Sequence, residues 1–109
     1  MAADATTARP GALTADQART VRAIVDRLIP GARVCVFGSR ATGRARPFSD
    51  LDLLVIEPAS LSWSQRADLR DAFEASDLPF RVDIVPAEDL PAGMAERVVA
   101  ESVLLGDAH

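Results

Sequence analysis

The stretch Val34–Ile56, VCVFGSRATGRARPFSDLDLLVI, predicts two apolar strands joined by a turn and an arginine-rich loop. Gly38-Ser39 ends the first strand, and the second opens with Asp50 and Asp52. Side chains two residues apart on a strand point to the same side, with their Cα atoms roughly 6.5 Å apart. Carboxylates held that close repel each other, so the pattern favours a cation between them.

Composition excludes several kinds of catalytic chemistry. Because Cys35 is the single cysteine, an internal disulfide and every Cys-rich zinc site are excluded. Cys35 lies in an apolar strand and is expected to be a buried core residue. The only histidine is the terminal His109, which excludes triads that use a histidine base. All 12 basic residues are arginine, so a phosphate would be held by arginine, backbone N–H groups or a metal. A net charge of −4 argues against autonomous binding to nucleic acid.

Length and hydropathy predict one small domain. The 109 residues suffice for a single core, and we expect residues 1–12 to form a flexible N-terminal tail and residues 13–109 a single domain. No apolar run approaches the roughly 20 residues of a membrane helix. The N-terminus lacks the apolar segment of a secretory signal, so the expected location is the cytoplasm.

Three helices are predicted from caps and apolar periodicity. Thr14 and Gln17 have capping-box spacing, and the apolar stripe that follows predicts a helix that stops at Ile29, before Pro30-Gly31. Ser62 and Gln65 form a second capping box for a helix that ends at about Ser76. Apolar residues at four-residue intervals predict a last helix, from Leu90 to about Glu101.

Three strands complete the predicted elements: residues 33–37, residues 50–56 and residues 81–85. The tail at residues 103–105 is expected to add a short strand or to cap the core. In the second strand Leu51, Leu53 and Val55 form an apolar face that should pack on helices. The fold class is therefore α/β (α+β), with a small mixed β-sheet and helices packed on one side.

The carboxylates carry the candidate chemistry. Asp50 and Asp52 have the pattern of Mg²⁺ ligands, but taken alone they equally suit two surface aspartates at a strand end or a cluster paired with arginine. Gly38 permits close approach of a phosphate, and Ser39 offers a hydroxyl. Asp83 supplies a third carboxylate on another predicted strand. Three converging carboxylates are what two-metal phosphoryl transfer requires.

Gly38-Ser39, ten further residues and Asp50-Leu51-Asp52 together resemble the signature of the DNA polymerase beta-type nucleotidyltransferase superfamily. The longer string GSRATGRARPFSDLDLLV is similar to that of the minimal nucleotidyltransferases, which are antitoxins encoded beside HEPN-domain ribonuclease toxins. The resemblance spans nearly the whole predicted domain. It implies the nucleotidyltransferase fold.

The resemblance also implies roles for individual residues. Asp50, Asp52 and Asp83 would bind two Mg²⁺ ions, and Asp83 would also help to deprotonate the acceptor hydroxyl. The residues that would contact the nucleotide, ATP, are Gly38, Ser39, Arg40 and Ser49. Arg44 and Arg46 match no strict position of the motif and are either solvated loop charges or further contacts to ATP or the partner.

The implied activity is transfer of AMP from ATP to a tyrosine of the HEPN toxin, with which the chain would form a hetero-oligomer. The chain contains no tyrosine, so it cannot modify itself on one. Two alternatives remain open at this point. One is an antitoxin that neutralises its toxin by binding alone; the other is a nucleotidyltransferase for a small molecule of the aminoglycoside type.

Overall fold

The computed structural model describes residues 13–38, 49–101 and 103–104. The predicted tail, residues 1–12, lies outside them and stays a prediction. In chain order the elements are α1 (Ala15–Leu28), β1 (Arg33–Phe37), β2 (Leu51–Glu57), α2 (Trp63–Glu74), β3 (Val82–Pro86), a 3-10 turn (Ala87–Asp89), α3 (Met94–Glu101) and β4 (Val103–Leu104).

The sheet is mixed, as predicted, with the strand order β3-β2-β1-β4. β1 runs antiparallel to both β2 and β4, whereas β2 and β3 are parallel. Because of these directions, the end of β1 and the beginnings of β2 and β3 lie at the same end of the sheet. All three predicted carboxylates and Gly38 lie at those strand ends.

The core lies between one face of the sheet and the helices α1 and α2. Alternate strand residues and the apolar stripes of the two helices share this cluster, whose central members are Val21, Val25, Val34, Val36, Leu51, Leu53, Val55, Leu69 and Phe73. This confirms the predicted packing of Leu51, Leu53 and Val55 against helices. Cys35 and Leu54 are buried too, although their side chains belong to the opposite face. No helix in the described residues is long and apolar enough to cross a membrane.

Both predicted capping boxes are present. In the first, the backbone N–H of Gln17 donates to the Thr14 hydroxyl at 3.0 Å, and the Gln17 side chain accepts from the Thr14 N–H at 2.9 Å. Ser62 and Gln65 repeat this arrangement at the start of α2. Each box satisfies two N–H groups that a helix start leaves without an intrahelical partner.

Two predicted helix ends were wrong. α2 ends at Glu74 rather than at Ser76, where the Ser76 hydroxyl donates to the Phe73 carbonyl at 2.6 Å and competes with continued helix. α3 begins at Met94 rather than at Leu90, because Gly93 has a φ of 84°, in the left-handed region that a right-handed helix excludes.

Replacing Thr14 with alanine is expected to lower the free energy of unfolding by about 1 kcal/mol, because the cap loses its hydroxyl acceptor. The midpoint of thermal unfolding should fall by about 4–8 °C. Circular dichroism in urea and on heating measures both. Thr20→Ala is the matched control, since Thr20 lies inside α1, where its hydroxyl bonds to the Asp16 carbonyl. Equal losses in the two variants would contradict a capping role.

Candidate functional site

Asp52 and Asp83 are neighbours on adjacent parallel strands. Their Cα atoms are register partners across β2 and β3. Leu51 and Val82, which precede them, are register partners in turn and pack towards the helices. Side chains alternate along a strand, so both carboxylates project from the other face of the sheet.

Asp50 adjoins this pair from the residue before Leu51. The Leu51 N–H donates to the Arg81 carbonyl at 2.8 Å, which joins the beginning of β2 to the segment that enters β3. Asp50 and Asp83 are exposed, whereas Asp52 is half-buried. Burial raises the pKa of Asp52, and the nearby charges of Asp83 and Asp50 raise it further. The charges of Asp50 and Asp83 are therefore close enough to disfavour the ionised form of Asp52.

Gly38 closes the site on the side of β1. Its neighbour Phe37 is the register partner of Asp52 across β1 and β2. Gly38 has a φ of 74°, and a Cβ atom built on it would lie 2.5 Å from Oδ2 of Asp52. Two features therefore require a glycine at this position: the positive backbone angle and the close approach of the Asp52 carboxylate.

The other predicted nucleotide contacts are placed only in part. Ser49 is half-buried and immediately precedes Asp50, so it lies at the same end of the sheet. Ser39 and Arg40 lie outside the described residues, as do Arg44 and Arg46. The roles assigned to these five residues stay predictions.

The carboxylates have no cationic side chain as a partner within the described part of the chain. None of the three forms a salt bridge there. In residues 13–38, 49–101 and 103–104, no group of three or more His, Cys, Asp or Glu side chains is arranged to hold a metal ion. The arrangement is thus a set of adjacent carboxylates, one of them held against Gly38, rather than a closed cage of ligands.

A groove of about 510 Å³ adjoins the aspartates on the side of β3. Asp50 and Asp83 line this groove, and Arg70, Arg81, Phe73 and Phe80 line it as well. The sequence reasoning missed these two arginines. Arg81 could have been recognised from its position two residues before Asp83, but Arg70 shows no signal, because only the fold brings α2 to this end of the sheet.

Comparison with known proteins gives matches along most of the chain. A family model described as the nucleotidyltransferase domain matches residues 18–105. A protein of Haemophilus influenzae (strain Rd), named as a probable protein adenylyltransferase, MntA, is 40% identical over 73 residues. These residues are 67% of this chain and 64% of that protein, so the chain spans just under two thirds of its relative's length.

Two solved structures are also similar. One is described as a toxin–antitoxin with AMP-PNP; it matches with a TM-score of 0.66 and 25% identity, over 81% of this chain and 71% of that one. The other is described as a candidate minimal nucleotidyltransferase, with a TM-score of 0.65 and 38% identity over 81% of this chain and 88% of that one. The chain therefore belongs to the nucleotidyltransferase domain family and has the fold of the minimal nucleotidyltransferases, as its sequence motif predicts.

Proposed function

We propose that this chain is a protein adenylyltransferase that acts as a cytoplasmic antitoxin. It transfers AMP from ATP to a tyrosine hydroxyl of a partner HEPN ribonuclease toxin and thereby neutralises it. The observation that carries the proposal is the position of Asp52, between Asp83 on one neighbouring strand and the glycine that ends the other. A site for phosphoryl transfer needs adjacent carboxylates beside a turn that a phosphate can approach closely.

The carboxylates suit Mg²⁺. Asp52 is half-buried beside two like charges, and no arginine of residues 13–38, 49–101 and 103–104 is paired to any of the three aspartates, which leaves negative charge that a hard cation would offset. Mg²⁺ commonly takes one or two protein carboxylates and completes its ligands with water and substrate phosphates, so a closed cage of protein ligands is not needed. Two ions held by Asp50, Asp52 and Asp83 would supply positive charge to the phosphates and the attacking oxygen.

The chain's own residues position the reactants. Gly38, Ser39, Arg40 and Ser49 are the contacts proposed for the nucleotide, and the absence of a side chain at Gly38 also lets the Asp52 carboxylate lie against the backbone there. The acceptor oxygen forms a bond to the α-phosphorus, and the bond from that phosphorus to the oxygen of the β-phosphate breaks. Pyrophosphate leaves, and the Asp83 carboxylate accepts the proton of the acceptor hydroxyl.

The relatives support the antitoxin part of this proposal. One is named as a protein adenylyltransferase, and another is a toxin–antitoxin structure that contains AMP-PNP, an analogue of ATP. The chain itself contains no tyrosine. A tyrosine acceptor must therefore lie outside these 109 residues, as one on a toxin partner would.

Transfer of label tests the proposal directly. The chain is incubated with Mg²⁺, the HEPN-type product of the neighbouring gene and ATP labelled at the α-phosphate. We expect the toxin to become labelled and its ribonuclease activity to fall in proportion. ATP labelled at the γ-phosphate is the control and should leave the toxin unlabelled, because that label departs with pyrophosphate. Label from the γ-phosphate alone would identify a kinase and contradict the proposal.

A second candidate is neutralisation by binding alone. It is favoured by the exposure of Met94 and Val99 on α3, which are 43% and 41% exposed. Apolar side chains on an exposed helix surface suit contact with another protein. The two candidates differ in whether a variant without catalysis still protects against the toxin.

A further inference from the structure

The outer edge of β3 has no partner strand in the part of the chain that the structure describes. β3 lies at one end of the strand order and pairs with β2 on its inner side. Val82 and Ile84 pack on the core but are only half-buried, whereas their register partners in β2, Leu51 and Leu53, are 0% exposed. The lower burial of the two β3 residues reflects their position at an open edge of the sheet.

The backbone of β3 directs alternate residues towards this edge. The Leu51 N–H donates to the Arg81 carbonyl at 2.8 Å, and Leu51 is the register partner of Val82. In a parallel pair with this register, Arg81 and Asp83 form the hydrogen bonds to β2, so the N–H and C=O groups of Val82 and Ile84 point away from β2. Among the described residues, neither of these two forms a backbone hydrogen bond outside the strand pairing.

Pro86 limits the open edge to the end of the sheet that carries the aspartates. It is the next residue of β3 whose backbone faces outward, and a proline has no N–H to donate. Proline commonly protects an edge strand from unwanted pairing in this way. The outward N–H groups of β3 therefore belong to Val82 and Ile84, which are the two neighbours of Asp83 in the sequence.

A strand added at this edge would bring one of its side chains to Asp83. Neighbouring strands lie roughly 4.8 Å apart, and residues directly opposite each other have their side chains on the same face. The residue opposite Asp83 would therefore project from the face of the sheet that carries Asp83 and Asp52. The groove of about 510 Å³ is lined by Val82 and Asp83 among others, so there is open space beside this part of β3.

Resting on the proposed function, we infer that the acceptor polypeptide binds at this edge as an additional β-strand, with the modified residue opposite Asp83. Val82 and Ile84 exchange backbone hydrogen bonds with it, as in other cases of strand addition. The edge is continuous with the carboxylates that the reaction uses, and the acceptor is the reactant with a peptide backbone that can pair there. The acceptor is thus recognised as an extended segment, and its register against Asp83 selects the hydroxyl that is modified.

The variant Val82→Pro tests the inference on the enzyme. It removes the outward N–H and places the proline ring at the edge, while the bonds of Arg81 and Asp83 to β2 are retained. It should lower kcat/KM for the toxin at least about tenfold relative to Val82→Ala, which loses side-chain volume but keeps the N–H. The KM for ATP should be the same in both variants. A rise in that KM in Val82→Pro alone would overturn the inference, since the proline would then act by distorting the nucleotide site.

Backbone methylation of the acceptor tests the inference on the wild-type enzyme and does not depend on the folding of a variant. A short peptide that contains the labelled tyrosine of the toxin is prepared as a set, with a single N-methyl group at each successive residue. Alternate N–H groups of a strand face its neighbour, so transfer of AMP should fall at least about tenfold at every second residue near the tyrosine and stay unchanged between them. An equal loss at all positions, no loss at any position, or labelling of the toxin but not of the unmodified peptide would overturn the inference.

The remaining outcomes separate this inference from the proposed function. If the wild-type chain forms a dimer that Val82→Pro dissociates, a second copy of the chain occupies the edge and the inference is wrong. If the toxin is labelled and Val82→Pro and Val82→Ala have equal kcat/KM, the inference fails while the proposed function stands. If the wild-type chain labels neither toxin nor peptide, the proposed function fails and the inference fails with it.

Discussion

Replacing Asp52 with asparagine is expected to reduce AMP transfer by roughly 10³-fold. Asparagine has nearly the same size and shape as aspartate, so the packing against Gly38 is retained while the charge is lost. The measurement is the rate of label transfer from ATP to the toxin at saturating ATP. Asp68→Asn, on the exposed surface of α2, is the control and should keep the wild-type rate. A transfer rate within a few-fold of wild type would remove Asp52 from the site.

The same substitution should stabilise the fold at neutral pH when divalent cations are absent. Burial and the charges of Asp83 and Asp50 raise the pKa of Asp52 in the folded protein above its value in the unfolded chain. The folded state then binds the proton more tightly, so wild-type stability falls as pH rises from the unfolded pKa to the folded one, and stays lowered above it. Asp52→Asn lacks this loss. Its gain should be a few tenths of a kcal/mol to about 1 kcal/mol, the range for charged pairs on neighbouring strands.

Urea denaturation over a series of pH values, with a chelator present, measures this difference. The two proteins should differ least at low pH, where Asp52 is protonated, and most at neutral pH. Added Mg²⁺ should then stabilise the wild type more than the variant, because a ligand stabilises the state that binds it, by about 2.7 kcal/mol at 100 times its Kd. A variant that is less stable than wild type in the chelator at neutral pH would show that the carboxylates do not repel each other.

The Asp52→Asn variant also decides between catalysis and occlusion. Expressed at the same level as wild type beside the toxin, it should fail to restore growth if neutralisation requires AMP transfer. Full protection by this variant would favour the second candidate, in which surfaces such as that of α3 bind the toxin.

Much of the fold could be predicted because its signals are local in the sequence. The capping boxes at Thr14 and Ser62 depend on residues three apart, and the strand faces follow from alternation. Where local signals compete, the prediction was wrong: four-residue periodicity extended α3 back to Leu90, although Gly93 adopts a left-handed conformation there. The 3-10 turn over Ala87–Asp89 was not predicted at all. Apolar periodicity shows which face of a segment is buried, but it does not show whether the backbone stays helical along the whole segment.

Site residues that are close together in the sequence could be predicted. Site residues that are brought together only by the pairing of strands could not. Asp50 and Asp52 are two residues apart in the sequence, and the motif that contains them predicted that both belong to the site. The register between Asp52 and Asp83 is a property of the parallel pairing of β2 and β3, which sequence alone does not determine. Arg70 reaches the groove only because α2 packs across the sheet. Contacts of this kind, between segments that are distant in the sequence, can be identified only from the structure.

Replacing Gly38 with alanine is expected to lower AMP transfer by roughly 10²-fold with only a modest loss of stability. An alanine Cβ at this position would lie 2.5 Å from Oδ2 of Asp52, so the carboxylate must move. The contact is with the end of a side chain that can rotate, so relief costs little in folding free energy. This rotation moves the Asp52 carboxylate away from its position between Gly38 and Asp83. A shift of about 1 Å in a reacting group lowers the rate on the order of 10²-fold.

Gly31→Ala is the control that separates the two effects of the methyl group. Gly31 has a φ of 80°, close to that of Gly38, but a Cβ atom on it would meet nothing within 4 Å. Both variants should therefore lose about 1–2 kcal/mol of stability from the left-handed backbone, since alanine is strained there. Only Gly38→Ala should also lose transfer activity and part of the stabilisation by Mg²⁺. If the two variants lose activity equally, backbone strain and not the position of the Asp52 carboxylate limits the reaction, and the role given to Gly38 is wrong.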